Sequence, residues 1–145
     1  KETMIMIRLY ADAVFSGDTF SPRLAESITG LTFSTKNEPG EIGSIGRYKG
    51  LPRPYGMAIL KAPFDSATMT GCQMPEEWIA DALTQHIKVI RSCGATEIHV
   101  SITVAWKDQC NLGFRKDFLS KIGQLNVPMS VSCYEGDHKE IEDEL

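Results

Sequence analysis

Residues 96–134 constrain the fold most, because their hydrophobic period changes from two to about 3.6 and back again within one span. In TEIHVSITVAW, Ile98, Val100, Ile102, Val104 and Trp106 share one face and Glu97, His99, Ser101 and Thr103 share the other, the pattern of a strand buried on one side. After the turn-rich KDQCNLG, the segment FRKDFLSKIGQL sets Phe114, Phe118, Leu119, Ile122 and Leu125 at helical spacing. VPMSVSCYE then alternates again, with Val127, Met129, Val131 and Cys133 opposite Ser130, Ser132 and Tyr134. The span reads as a strand–helix–strand crossover. IMIRLYADA, FSPRLAESIT and GLTFS follow the same order near the N-terminus, where Phe20, Leu24, Ile28 and Leu31 are spaced like Phe114, Phe118, Ile122 and Leu125. An internal duplication is therefore expected.

The other elements fall around these two units. Residues 4–11 alternate Ile5, Ile7, Leu9 and Ala11 against Met6, Arg8 and Tyr10, a first strand followed by the turn residues Ser16, Gly17 and Asp18. Lys1, Glu2 and Thr3 precede Met4, a natural start, and stay outside the fold argument. Ser21 before Pro22 is a capping hydroxyl followed by a proline at the first helical position, so a helix is expected over 22–29 with Gly30 as its stop. Short strands are expected over 31–35 and 55–61. Pro75, Glu76 and Glu77 open a further helix, with Ile79, Leu83, Ile87 and Ile90 as its apolar stripe and Gly94 as its end. His86 borders that stripe and reads as a boundary histidine rather than a ligand. The order β-α-β-β-α-β-α-β predicts an α+β fold, a ferredoxin-like mixed sheet with helices on one face and two β-α-β units. A doubly wound sheet fits less well, because its strands are buried on both faces and would not alternate so cleanly.

One domain over 4–135 suits the chain's 145 residues, followed by an acidic tail at 136–145. From Glu135 onward there are six acids against Lys139, and the remainder holds 13 acids and 14 bases of the chain's 19 and 15. The net charge of −4 therefore belongs to the tail, whose Glu140, Glu142, Asp143 and Glu144 read as a solvated run or as an interaction tail. No apolar stretch reaches membrane-spanning length and no signal peptide is visible, so a cytoplasmic protein without membrane contact is expected. Cys72, Cys93, Cys110 and Cys133 form no C-x-x-C pair. Free thiols are expected rather than a disulfide framework or a zinc site.

Two regions have the residues for binding. The face away from the helices would carry Arg8, Tyr10, His99, Ser101, Thr103, Ser130, Ser132 and Tyr134, a polar surface that meets solvent, a ligand or a twin subunit. In the long segment at 36–54, Gly40, Gly43, Gly46 and Gly50 are interleaved with Arg47, Tyr48, Lys49 and Arg53. Glycine amides and bases together suit an anion, yet the spacing matches no phosphate-loop pattern and runs into no helix, so a flexible loop is the plainer reading. RPYGMAIL shares Arg53, Tyr55 and Gly56 with RNA-recognition strands but has Pro54 and Met57 where those have glycine and a stacking aromatic. With no basic excess in the chain as a whole, nucleic acid is a minor reading. Asp12, Asp18, Glu38, Glu41 and Asp108 read as turn or solvated carboxylates at no ligand-like spacing. There is no G-x-S-x-G or comparable signature, so no catalytic residue, metal or cofactor is expected.

The order FSPRLAESITGLTF, GSIGRYKG, then DQCNLGFRKDFLSKIGQLNVPMSVSCYE resembles small bacterial domains of unknown function, some of which look like immunity proteins encoded beside toxins. The resemblance covers most of the chain and carries no catalytic motif. It implies a non-enzymatic protein that occludes a cognate bacterial toxin. The competing expectations are a small anionic-ligand or nucleotide binder using the glycine-rich segment, and an RNA-binding domain.

Overall fold

The computed structural model describes residues 7–136. Five strands and three helices follow in the order β1 Ile7–Gly17, α1 Pro22–Thr29, β2 Thr35–Asn37, β3 Gly56–Lys61, α2 Pro75–Ser92, β4 Glu97–Trp106, α3 Lys116–Leu125 and β5 Met129–Glu135. A single 3-10 turn at Gly46–Tyr48 lies between β2 and β3. The protein is an α+β domain built on one mixed sheet, ordered β2-β3-β1-β4-β5. Among the described residues no helix is long and apolar enough to cross a membrane.

β1 is the spine of the sheet, antiparallel to β3 on one side and to β4 on the other. Because β2 is antiparallel to β3, it runs parallel to β1 with β3 between them. β3 and β4 are likewise parallel with β1 between them, whereas β5 joins β4 directly and in parallel. The crossovers through α1 and α2 thus each step over a strand, and the one through α3 joins neighbours. The order expected from sequence is present, but the two units with similar patterns differ in geometry.

The register explains the core. Leu9, Ala11, Ala13 and Phe15 of β1 stand opposite Val104, Ile102, Val100 and Ile98 of β4, while Ala13 and Phe15 also face Leu60 and Ala58 of β3. All are buried in one cluster with Phe20, Ala25, Phe33, Ile79, Leu83 and Ile90. Phe15 sits 5.7 Å from Phe33 and 6.3 Å from Phe20, ring centre to ring centre, within the range of favourable aromatic pairing. Alternation continues through Ala13 and Phe15, which is why β1 extends past the expected residue 11 and into the expected turn, to Gly17. β2 begins later than expected because Phe33 turns into the core and Ser34 donates its N–H to the Ile59 carbonyl at 2.9 Å.

Local signals set the helix ends. The Ser21 hydroxyl accepts the Leu24 N–H at 3.2 Å, Pro22 follows at the first position, and Gly30 ends α1 at φ 76°. In α2 the Glu77 carboxylate reaches back to the Met74 N–H at 2.8 Å, and Pro75 again opens the helix. Where β3 begins beside the approach to α1, a Cβ on Gly56 would lie 1.8 Å from the Phe20 carbonyl oxygen. Only glycine lets the two backbones approach so closely.

Candidate binding surfaces

The eight polar-face residues named from sequence do fall on one side of the sheet. The register sets Tyr10 beside Thr103, and Ser101 and Thr103 beside Ser130 and Ser132, while Arg8 and Tyr134 both flank Ala105 and His99 faces Val14. Arg8 lies 5.5 Å above the Tyr10 ring and its Nη2 donates to Asp65 Oδ2 at 2.8 Å.

Asp65 comes from the segment after β3, where sequence reasoning saw only an irregular connection. Its other carboxylate oxygen accepts the N–H groups of Ala67 at 2.7 Å and Thr68 at 3.1 Å. The Arg8 guanidinium and these two amides hold the Asp65 carboxyl below its usual value against the opposing effect of burial. The segment is also sewn to β1, since Ala62 N–H donates to the Ala11 carbonyl and Ser66 exchanges bonds with Leu9 through its N–H and its hydroxyl. A roof therefore stands over one end of the polar face.

Beneath it is a cleft of about 360 Å³ bounded by Tyr10, Asp12, Lys61, Phe64, Asp65 and Thr103. Asp12 is a correction to the sequence reading, which placed it near a turn. It lies within β1, opposite Lys61 on β3 and Ser101 on β4, because β1 runs six residues further than residue 11. Burial pushes the Asp12 carboxyl up, and the nearby Lys61 and His99 pull it partly back. The cleft thus offers a carboxylate, an ammonium and a hydroxyl beside apolar walls. Asp12 could have been read from the continued alternation, but Phe64 and Asp65 carry no periodic signal.

The glycine-bearing segment is not a loose loop. Residues 40–53 form a small lobe in which Gly43 N–H donates to the Leu51 carbonyl at 3.0 Å, Gly50 N–H to the Gly43 carbonyl at 2.8 Å, and Gly40 N–H to the Arg53 carbonyl at 2.7 Å. Isolated bridges join Ile42 with Pro52 and Gly43 with Lys49. Arg47 lies 5.6 Å over Tyr48, whose ring meets Tyr55 edge-on at 6.1 Å. These bonds occupy the amides of Gly40, Gly43 and Gly50 within the lobe, where a phosphate cradle would need them directed outward. What the lobe does present is apolar: Ile42, Ile45 and Leu51 are 60%, 74% and 55% exposed, beside exposed Arg47 and Lys49.

Of the remaining carboxylates, Glu38 and Glu41 have structural partners and Asp18 is exposed in a turn. Glu38 accepts the Ser21 hydroxyl and the Arg23 N–H, Glu41 accepts the Glu38 N–H, and Asp108 makes a turn at φ 68°. Among the described residues no group of three or more His, Cys, Asp or Glu side chains is placed to hold a metal ion. All four cysteines are free thiols. Partial burial and the adjacent Cys133 thiol raise the Cys110 thiol above its usual value. Glu140, Glu142, Asp143 and Glu144 lie outside the described residues. Compared with protein-family models, with curated proteins and with solved structures, the chain matches none.

Proposed function

We propose that this protein is a non-enzymatic binding protein of the cytoplasm that neutralises a cognate bacterial toxin by covering it. The observation that carries the reading is the self-bonded lobe at 40–53, with three exposed aliphatic side chains beside Arg47 and Lys49. Covering the part of each side chain still exposed contributes roughly 1–2 kcal/mol. A lobe already held by its own hydrogen bonds loses little conformational freedom on docking. The flanking bases favour a partner whose apolar pocket has an acidic rim. A ferredoxin-like reading of the fold accompanies the proposal: the order of β1 to β4 and the two crossovers that step over a strand support it, with β5 as an addition.

The test is capture of a partner on the tagged protein from its native host under a high-salt wash, repeated with Ile45→Asp and Leu51→Asp combined. The expected result is a toxin-like polypeptide retained by the wild type and released by the variant, with binding weakened at least ~100-fold. Co-expression of the wild type, and not of the variant, should then relieve that polypeptide's toxicity. Equal retention by both would remove the lobe from the interface.

The cleft favours a second reading, a small polar ligand held between Asp12, Lys61 and Thr103. That reading places a ligand on the sheet face rather than in the glycine segment. A thermal shift with small zwitterions or anions that disappears in Lys61→Ala would support it, and indifference to such a panel would count against it. RNA binding remains the weakest of the three, since strand β3 presents Met57 and Ile59 rather than stacking rings.

A further inference from the structure

We infer that β5 is a pairing edge for a second copy of this chain, so that two five-stranded sheets join into one across a two-fold axis. The hydrogen-bond parity of β5 shows which groups are available. Val100 N–H donates to the Pro128 carbonyl at 2.9 Å and Gly136 N–H donates to the Trp106 carbonyl at 2.9 Å. In a parallel ladder with this register, the even-numbered residues of β5 direct both backbone groups at β4. Met129, Val131, Cys133 and Glu135 direct theirs outward. Among the described residues no backbone partner meets the outward groups of Val131 and Cys133.

Such an edge is normally blunted by proline, lysine, a bulge or brevity. The opposite edge is: β2 has three residues and carries Lys36. β5 has seven residues, MSVSCYE, with no lysine, proline or bulge. Its side chains are open on both faces, with Val131 41% and Tyr134 45% exposed.

The sequence of the strand is compatible with pairing to itself. An antiparallel pair centred on Ser132 overlaps the whole strand and sets Val131 against the other copy's Cys133, Ser130 against its Tyr134 and Met129 against its Glu135. The strand's one charged residue then meets a methionine, so no like charges face each other. Outward-directed Val131 and Cys133 become the hydrogen-bonded pairs, and the two Ser132 residues form the close non-bonded pair. The lobe at 40–53 follows β2 at the other end of the strand order and is not used in this contact.

Sedimentation of the full chain over a concentration series up to about 1 mM, the weak limit of specific association, tests the pairing. The wild type should dimerise. Val131→Pro should be monomeric with an unchanged circular dichroism spectrum, since its lost N–H points away from β4 and proline is tolerated on such an edge. Val131→Lys should behave alike and guards against misfolding of the proline variant. For register, Ser132→Cys in a Cys133→Ser background should oxidise to a disulfide-linked dimer, because paired Cα atoms about 4.5 Å apart fall within disulfide reach. Ser130→Cys in the same background should not. A monomeric wild type, a dimer indifferent to both Val131 variants, or cross-linking through Ser130→Cys and not Ser132→Cys would each overturn the proposal.

Discussion

At one end of the sheet, α1 leads into a three-residue edge strand; at the other, α3 leads into a seven-residue edge strand. The α1 end has Phe20 and Phe33 packed on Phe15. Glu26 binds the Phe33 N–H at 2.9 Å and also the Lys36 ammonium, and Glu38 closes on Ser21 and Arg23. The α3 end buries Phe118, packs Phe114, Ile122 and Leu125 partly against the core, and is linked to α2 by the pairs Lys121 with Asp81 and Arg115 with Glu77. Similar hydrophobic patterns have therefore produced an anchored end and an open one. Both helices meet α2; the physical difference is that α1 also rests on β3, whereas α3 leaves the side chains of β5 exposed.

The comparison can be broken most directly by truncating the anchored end. Phe15→Ala should lower unfolding free energy by about 3–5 kcal/mol, measured by urea titration, because the ring is fully buried between Phe20 and Phe33. A loss below about 1 kcal/mol would mean that this end relaxes as easily as the other. Gly56→Ala should cost about 2–3 kcal/mol, since its methyl would meet the Phe20 carbonyl and the chain must shift at the start of β3.

Glu26→Ala should be milder, about 1–2 kcal/mol, through loss of a carboxylate bonded to the Phe33 amide and Lys36. The Lys36 hydrogen bond is the main reason its carboxyl lies below the usual 4.5. A carboxyl lowered on folding adds stability above its ordinary value, and that stability is lost as pH falls below 4.5 toward the folded value. The gap between wild type and Glu26→Ala should therefore narrow as pH is lowered through 4.5 and beyond. A gap that stays constant would assign the effect to packing. Asp12 has the opposite sign: its carboxyl is raised, so the charged form is disfavoured in the fold and Asp12→Asn should raise the melting temperature slightly at pH 7 but not at pH 3. The smallest effect belongs to the open end, where Leu119→Ala should change stability by less than about 0.5 kcal/mol because the side chain is half exposed.

Several elements were legible because their signals are local. Ser21-Pro22 and Gly30 bound α1, Pro75 opens α2, and strict alternation in β4 matched a face buried at Ile98, Val100, Ile102 and Val104. The polar face was legible for the same reason, since period two places Arg8, Tyr10, Ser101 and Thr103 together once the register is set. The lobe at 40–53 was misread as loose because its order comes from bonds among glycine amides and carbonyls, which leave no trace in side-chain periodicity. The cleft was missed because Phe64 and Asp65 reach it only through an aperiodic segment stitched to β1.

The sequence by itself determined the element types, their order and the polar and apolar sides of the strands, because these depend on backbone geometry and on residues within a few positions of one another. Only the tertiary structure decided that β3 would separate β1 from β2 and that α3 would leave β5 uncovered. Val131 and Cys133 alternate as cleanly as Val100 and Ile102, yet the first pair is exposed and the second is buried. Alternation states which residues share a face, and whether that face is covered depends on where distant parts of the chain pack.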